Sequence, residues 1–273
     1  MLKITNFEVL GWEYAIRGMR NPMNSWEKSD SEFITVDGEH HDICGNSGPW
    51  YGSDGWSETL IGEQDLDLMK RLRNAGTDHR KFMRMITVYA DLTAPLYWWK
   101  EFDTYKVGTV ANSCSTMHKI AEKEFTPEDF SHEHLMGTSE QQIPYSSNVP
   151  YIIDFRIQLE QIIASLNNAR ELYLETKDKC YWWQMIQLLP SSYNQKRTVM
   201  LNYEVLANIY QSRRNHKLDE WHTFCDWIEE LPYSELITGE TLSNAQISQE
   251  VISESTPLFL KNSLVLKEED KNE

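Results

Sequence analysis

The sequence is poor in cysteine and has no long apolar run. Its four cysteines lie far apart and form no CxxC pair, which argues against a zinc ribbon and against a small secreted domain held by disulfides. No apolar stretch approaches the length of a transmembrane helix, and residues 1–10 lack the apolar segment of a signal peptide. We therefore expect a cytoplasmic protein without a membrane partner.

Positive charge is also scarce. The chain of 273 residues has 26 Lys and Arg against 42 Asp and Glu, which gives a formal net charge of −16. Such a chain is repelled by a nucleic-acid backbone unless it carries a local basic patch. The densest basic stretch, residues 213–217, is too short for a duplex but large enough to hold one phosphate. We therefore expect no nucleic-acid partner.

What the sequence does contain is an ordinary globular composition with many aromatic rings. Hydrophobic residues make up 40% of the chain and charged residues 25%, which allows a sizeable core in one large domain or two small ones. The 10 Trp, 13 Tyr and 9 Phe residues suit both core packing and stacking on planar ligands.

The first part of the chain shows three local patterns. Alternating residues over 2–9 predict a strand that ends at Gly11, and a short helix should follow over 14–19. Residues 21–60, rich in Gly, Ser, Asp and Trp, predict a long irregular insertion. An apolar stripe over 66–72 then predicts a helix that ends near Gly76.

The remainder of the chain is mainly helical in pattern. The run over 82–92 favours a buried strand, although its periodicity also allows a helix. Pro95 and Thr126 each mark the start of a helix. Apolar periodicity predicts three further helices, over 155–173, 195–213 and 218–228.

One polar stretch among the aromatic residues runs over 103–118. Its hydroxyl groups and Gly108, close to a predicted helix start, offer hydrogen-bond donors that suit a phosphate. A Ser/Thr-rich turn that caps a helix explains the same residues, and it is favoured when the stretch is taken alone.

A second stretch places Asn202, Asn208 and Arg213 on the helix predicted over 195–213. If that helix is straight, Asn202 and Arg213 share a face and Asn208 points about 120° away from Asn202. Asn208 and Arg213 then serve different ligands, or different ends of one ligand. The alternative is that Asn208 is a satisfied core amide and Arg213 a C-terminal cation favoured by the helix dipole.

The sequence assigns neither a metal site nor a catalytic residue. His79 precedes the predicted strand, where a ligand contact is one option and simple solvation the commoner one. His40, His41 and Cys44 suggest a metal, but no fourth ligand has suitable spacing. Cys114 has no base nearby in the sequence, so nucleophilic catalysis is not predicted.

Taken together, these stretches resemble the flavin-dependent thymidylate synthases. In that family a GH-type loop precedes a strand that ends at Ala-Pro, and a helix then leads to the signature RHRxxSxNExSxRY. A leucine-proline pair and an asparagine-rich helix ending in arginine follow. The same landmarks occur here in the same order within roughly residues 7–228: His79, Ala94-Pro95, Asn112, Ser115, Leu189-Pro190, Asn202, Asn208 and Arg213.

The chain departs from the family at the signature itself. Tyr105-Lys106-Val107 stands where the family has Arg-His-Arg, Ser113 replaces the acid, and Met117 replaces the arginine after the serine. A further arginine, before the leucine-proline pair, is replaced by Ile186 or Gln187. An arginine fork binds phosphate through two hydrogen bonds, a geometry that neither lysine nor serine reproduces.

The resemblance implies an α+β fold with a central, mostly antiparallel sheet flanked by helices. It implies one domain over 1–238, with an insertion at about 21–60 and a partly frayed C-terminal extension over 239–273. It also implies a homotetramer with ligand sites at subunit junctions. The implied cofactor is FAD, and NADPH and methylenetetrahydrofolate are needed only if the protein is an active enzyme.

The resemblance assigns residues and a reaction as well. The flavin-side residues are His79, Lys106, Asn112 and Asn208. The nucleotide-side residues are Ser113, Ser115, Thr116 and Arg213. The implied function is the binding of dUMP or a related nucleotide, with FAD as the possible cofactor, for the reductive methylation of dUMP to dTMP. The alternative is a nucleotide-binding or structural homologue that kept the fold and lost the reaction, which the missing arginines favour over full activity.

Overall fold

The computed structural model describes residues 1–34, 40–41, 47–48, 59–142 and 152–239. The strands within these residues are β1 Lys3–Leu10, β2 Glu32–Ile34, β3 His40–His41, β4 Ser47–Gly48, β5 Thr59–Leu60, β6 Thr87–Pro95, β7 Val110–Ser113 and β8 Asn194–Asn202. The α-helices are α1 Trp12–Arg20, α2 Glu63–Asn74, α3 Leu96–Phe102, α4 Thr116–Lys119, α5 Phe155–Thr176, α6 Lys179–Leu188, α7 Tyr203–Arg213, α8 Asp219–Glu229 and α9 Glu235–Thr238.

The strands form two sheets. The larger has the strand order β1-β6-β8-β7 and is antiparallel. In the pairing of β7 with β8, Asn112 lies opposite Thr198 and Ser113 opposite Arg197. The smaller antiparallel sheet has the order β4-β3-β2-β5. The predicted α+β class, with an antiparallel central sheet flanked by helices, is confirmed.

The chain divides into two compact units. Unit 1 contains Met1–Glu8, Tyr89–Met200 and Asn215–Phe224. Unit 2 contains Val9–Val88, Leu201–Arg214 and the chain from Cys225 onward. The single domain predicted over 1–238 stays a prediction. The predicted C-terminal extension lies outside the described residues from position 240 onward.

Unit 1 has an aromatic core to which helix α3 contributes most of the rings. The centroid of the Trp98 ring lies 4.8 Å from that of Trp221 and 5.7 Å from that of Phe224, and both partners are on α8. Trp99 and Phe102, also on α3, complete the cluster, and none of the five side chains is more than 1% exposed. Rings of this size bury about 150–250 Å² each and dominate the energetics of a core. The loop that follows α3 is therefore anchored at its start by a buried helix.

In unit 1, strand β6 alternates between a buried and an accessible face. Leu92 is fully buried, whereas Asp91 accepts hydrogen bonds from Thr198 Oγ1 at 2.6 Å and from Asn6 Nδ2 at 3.0 Å. Lys196 Nζ lies 2.9 Å from the same carboxylate. The hydrogen bonds from Thr198, Lys196 and Asn6 hold the pKa of Asp91 well below its usual range. Polar contacts to one carboxylate therefore link three neighbouring strands on the accessible face.

A buried ion pair organises unit 2. Arg20, at the end of α1, donates from Nε to Asp65 Oδ1 at 2.6 Å, and the two side chains are 4% and 0% exposed. The Ser31 hydroxyl donates to the other oxygen of Asp65 at 2.7 Å. The remaining nitrogens of Arg20 donate to the backbone carbonyls of Ser25 at 3.0 Å and Lys28 at 2.9 Å. This network ties the chain after α1 to helix α2.

The segment predicted as an irregular insertion over 21–60 is partly regular. Its described residues contain two short 3-10 helices, Asn21–Met23 and Trp26–Lys28, and the four strands of the smaller sheet. The prediction of irregular structure was therefore wrong for these residues. Strands of two or three residues are too short for a period of two to be visible in the sequence.

The helix predicted over 195–213 is wrong in its first half. Residues 194–202 form strand β8, and the helix begins only at Tyr203. Val199 and Leu201 are buried while Met200 between them is partly exposed, which is the alternation of a strand.

The start of α7 has a local cause. Asn202 is the N-cap residue, and its Oδ1 atom accepts the Val205 N–H at 3.0 Å. Asn202 and Arg213 therefore do not lie on one face of a single helix, and the predicted relation between them is wrong.

Other boundaries also differ from the predictions. Arg80–Arg84 form a short 3-10 helix and the strand begins at Thr87, so the strand predicted over 82–92 starts later. The start at Thr126 leads to one 3-10 turn, Pro127–Asp129, instead of a longer helix. Helix α6 was not predicted, because its apolar residues do not form a single stripe.

Replacement of Arg20 by methionine removes the partner of a buried carboxylate. We expect the free energy of unfolding to fall by about 3–5 kcal/mol, because a buried charge is left uncompensated. Arg17→Met is the matched control, since Arg17 lies on the same helix and pairs with Glu13 at the surface; its loss should stay below about 1 kcal/mol. Urea denaturation measures both variants, and equal losses would contradict the assigned role of the pair.

Candidate functional site

Four of the predicted ligand residues lie at the junction of β7 and α4 in unit 1. Asn112 and Ser113 end the strand, Ser115 is the N-cap residue of α4 and Thr116 is its first residue. Ser115 Oγ accepts the His118 N–H at 3.1 Å and lies 2.9 Å from His118 Nδ1. The helix-capping turn that was the alternative to an anion site is therefore present, and Ser115 is its capping residue.

The strand pairing separates Asn112 from Ser113. Residues directly opposite each other on paired strands share a face, so Asn112 lies with Thr198 and Ser113 with Arg197. Arg197 donates from Nη1 to Asp103 Oδ1 at 2.7 Å. The arginine opposite Ser113 is thus already held by a carboxylate.

A pocket of about 270 Å³ opens beside Ser115 in unit 1. It is lined by Cys114, Ser115, Thr116, Lys119, Ile120, Glu122, Lys123, Tyr193, Asn194, Gln195 and Lys196. Of the predicted ligand residues, Ser115 and Thr116 line this pocket, whereas Asn112 and Ser113 do not. Lys106 is outside the lining too, in the exposed loop between α3 and β7.

In unit 2, Asn208 is in contact with the arginine that follows His79 in the sequence. Arg80 directly follows His79 and donates from Nη2 to Asn208 Oδ1 at 3.3 Å. Its Nε donates to Glu204 at 3.4 Å, and Arg84 donates to the same carboxylate. Burial opposes ionisation of Glu204, but the hydrogen bond and charge of Arg84 and the charge of Arg80 outweigh it and lower the pKa.

Asn208 is exposed on an otherwise buried part of α7. Residues 203–207 and Ile209 are buried, so the interpretation of Asn208 as a satisfied core amide is wrong. Arg213 ends the helix five residues later, and its side chain points about 140° away from that of Asn208. In the shorter helix, as predicted for the longer one, the side chains of Asn208 and Arg213 point in different directions.

Two groups of polar residues were missed by the sequence reasoning. The first is the cluster of Arg80, Arg84 and Glu204 in unit 2. Its local signal was the i, i+4 spacing of Glu204 and Asn208, which places them on one helix face. The contact with Arg80 spans 124 positions of sequence, and no local pattern indicates it. The second group is the set of pocket lysines, which come from two distant segments.

The residues that the structure describes contain no grouping of three His, Cys, Asp or Glu side chains that could hold a metal ion. Among the same residues, no helix combines the length and the apolar character needed to cross a bilayer. Cys44 lies outside the described residues, and Cys114 is an exposed free thiol in the pocket.

Known structures share this fold. Two structures of ThyX, the flavin-dependent thymidylate synthase of Helicobacter pylori, both with FAD and dUMP, match with TM-scores of 0.54 and 0.53 at 15% and 16% sequence identity. The matches cover 87% and 86% of this chain and 98% of the other chain in each case. No protein-family model and no curated protein matches the sequence. The resemblance inferred from the ordered landmarks is thus confirmed for the fold.

Replacement of Glu204 by glutamine should change how stability depends on pH. The lowered folded-state pKa means that the carboxylate stabilises the wild type above its unfolded pKa of about 4.3, and this contribution is lost as the pH falls through the folded value. The difference in free energy of unfolding between wild type and Glu204→Gln should therefore shrink as the pH falls from about 6 to about 3. Urea denaturation across this range measures it, with the exposed Glu230→Gln as control; a pH-independent difference would contradict the assignment.

Proposed function

We propose that this protein binds a pyrimidine deoxynucleotide of the dUMP type in unit 1. The observation that carries the proposal is the pocket beside Ser115 and Thr116, two residues predicted to bind the nucleotide. The H. pylori enzyme of the same fold was solved with dUMP, which supports the choice of ligand. Ser113 of unit 1 is a further residue that we assign to nucleotide binding, and Arg213, which belongs to unit 2, would reach the nucleotide from another copy of the chain at a subunit junction.

The nucleotide is held less rigidly than an arginine fork would hold it. Tyr105-Lys106-Val107 contains no arginine, and the arginine opposite Ser113 is engaged by Asp103. Hydroxyl groups and single positive charges therefore bind the phosphate. Such groups attract an anion but impose less orientation than a planar guanidinium.

The second candidate function is the flavin-dependent reductive methylation of dUMP to dTMP. The contact between Arg80 and Asn208 favours it, because Arg80 adjoins His79 and both His79 and Asn208 are predicted flavin residues. Asn208 is exposed, and this contact engages its amide oxygen and leaves its N–H groups as donors. Lys106 and Asn112 would complete the flavin side.

In this reading the protein positions its ligands and the cofactor carries the reaction. Bound FAD would supply the hydride transfer, and NADPH and methylenetetrahydrofolate would be consumed with the nucleotide. His79, Arg80 and Asn208 would orient the cofactor through hydrogen bonds and charge. We also infer a cytoplasmic homotetramer, in which junctions between copies would allow the divergent Asn208 and Arg213 to serve different sites.

Nucleotide binding is tested by thermal unfolding with dUMP. At a ligand concentration one hundred times Kd, binding to the folded state adds about 2.7 kcal/mol of stability, which raises the melting temperature measurably. Arg213→Ala should abolish this shift, because it removes a predicted phosphate contact. Arg214→Ala removes the same charge from the neighbouring position and should leave the shift in place. Equal behaviour of the two variants would show that Arg213 is not a nucleotide residue.

Flavin binding is tested by the absorbance spectrum of the purified protein with and without added FAD. The second candidate function requires a bound-flavin spectrum, and Asn208→Ala should then raise the Kd for FAD about tenfold through the loss of one hydrogen bond. Gln211→Ala, at an exposed position of the same helix, is the control. A colourless protein that ignores excess FAD would eliminate the flavin-dependent reaction and leave the nucleotide-binding function.

A further inference from the structure

The pocket beside Ser115 has a charge opposite to that of the whole chain. Its charged lining residues are Lys119, Lys123, Lys196 and Glu122, so three positive charges stand against one negative charge. The whole chain has a formal net charge of −16. A concave surface lined by one sign of charge concentrates ions of the other sign, so this pocket attracts anions within an acidic protein.

Each of the three lysines has a carboxylate partner: Lys119 pairs with Glu122, Lys123 with Asp129 and Lys196 with Asp91. Neither of the two aspartates lines the pocket. The lysine side chains are 64%, 67% and 47% exposed, in the same order. The pair of Lys119 with Glu122 is exposed at both ends and contributes little stability, so this ammonium group can turn towards a bound anion at small cost. Asp129 and Asp91 are only 13% and 16% exposed, but each keeps other hydrogen bonds when its lysine turns, Asp129 from the Thr126 N–H and Asp91 from Thr198 and Asn6.

The pocket also offers hydroxyl groups for an anion. Ser115 and Thr116 contribute aliphatic hydroxyls, and Tyr193 lies among the lining residues. The phenol of a tyrosine is protonated at neutral pH, and burial raises the pKa of Tyr193 further, so its O–H donor is kept. Lysine charge and hydroxyl donors together match the oxygen atoms of a phosphate group.

The size of the pocket narrows the class of ligand. Pockets for drug-sized molecules have volumes of roughly 300–1,000 Å³. At about 270 Å³ this pocket is too small for a whole FAD molecule and suits a phosphate with its sugar.

We propose that this pocket binds a phosphate monoester and that Lys119, Lys123 and Lys196 supply the positive charge that the altered signature no longer supplies. The inference rests on the proposed nucleotide function, and the phosphate is that of the nucleotide. Lysine is a compact charge with three donors, whereas arginine is a rigid fork. The site therefore recognises the phosphate by charge, with the hydroxyls of Ser115 and Thr116 as secondary contacts.

Occupancy of the pocket is measured at Cys114, which lines it as an exposed free thiol. Iodoacetamide labelling, followed by peptide mass spectrometry, is compared with dUMP, with deoxyuridine and with inorganic phosphate. We expect dUMP and inorganic phosphate to slow the labelling of Cys114 and deoxyuridine to leave it unchanged. Cys180 is exposed but outside the lining, so the ratio of its labelling rates with and without each compound is the internal control.

Variants of the lysines test which groups hold the phosphate. Lys119→Gln and Lys196→Gln should each raise the dUMP concentration for half-protection about tenfold, as expected for the loss of one charge-assisted hydrogen bond. Lys119 has an exposed ion pair, so Lys119→Gln should fold normally. Lys100→Gln removes the same charge from an exposed position of α3 outside the pocket and should change nothing.

The outcomes separate this inference from the proposed function. If dUMP protects Cys114 equally in the pocket variants and in Lys100→Gln, the lysine site is wrong and nucleotide binding stands. If inorganic phosphate protects Cys114 in a lysine-dependent way and no nucleotide stabilises the protein, the phosphate site stands and the nucleotide function is wrong. If neither dUMP nor phosphate protects Cys114, the phosphate site is overturned.

Discussion

The side chain of Asn202 determines where strand β8 gives way to helix α7, and the polar cluster of unit 2 depends on that position. Asn202 Oδ1 accepts the Val205 N–H, while the Tyr203 N–H donates to the Ile86 carbonyl at 3.1 Å. Adjacent residues thus make the last sheet-like hydrogen bond and the first helix cap. With this start, Glu204 is buried where Arg80 and Arg84 reach it, and the next turn of the helix presents its amide, Asn208, to solvent.

Apolar periodicity predicts an element well where only one period fits, as for α5, a helix of 22 residues whose apolar stripe runs from Phe155 to Tyr173. It fails over 195–213, because the same apolar residues fit helical spacing and, up to Leu201, strand alternation as well. The deciding signal was an asparagine at a cap position, and asparagine is equally common in turns and on helix surfaces. Pairing between β8 and its neighbours selects the strand, and such long-range pairing is not encoded in local periodicity.

The candidate site also combines residues that the local sequence predicts with residues that only the fold brings together. Ser115 and Thr116 were predicted from residue type and order, and the structure places both beside a pocket. Two of the three lysines of that pocket, Lys119 and Lys196, are 77 positions apart and have no motif in common. At 15–16% identity, this chain and the solved structures share a backbone arrangement. Such likeness at low identity is expected, since many apolar sequences can build one core.

Strand β7 has a consequence for any pair of ligands bound near it. Within the part of the chain that the structure describes it is the last strand of its sheet, and its successive side chains face opposite sides, so Asn112 and Ser113 lie on opposite faces of the strand. A molecule on one side meets Thr198 and Asn112, and a molecule on the other meets Arg197 and Ser113. A shift of one residue in the pairing of β7 with β8 would move Asn112 and Ser113 to the opposite faces of the sheet. The register of this pairing therefore determines which side chain each face presents.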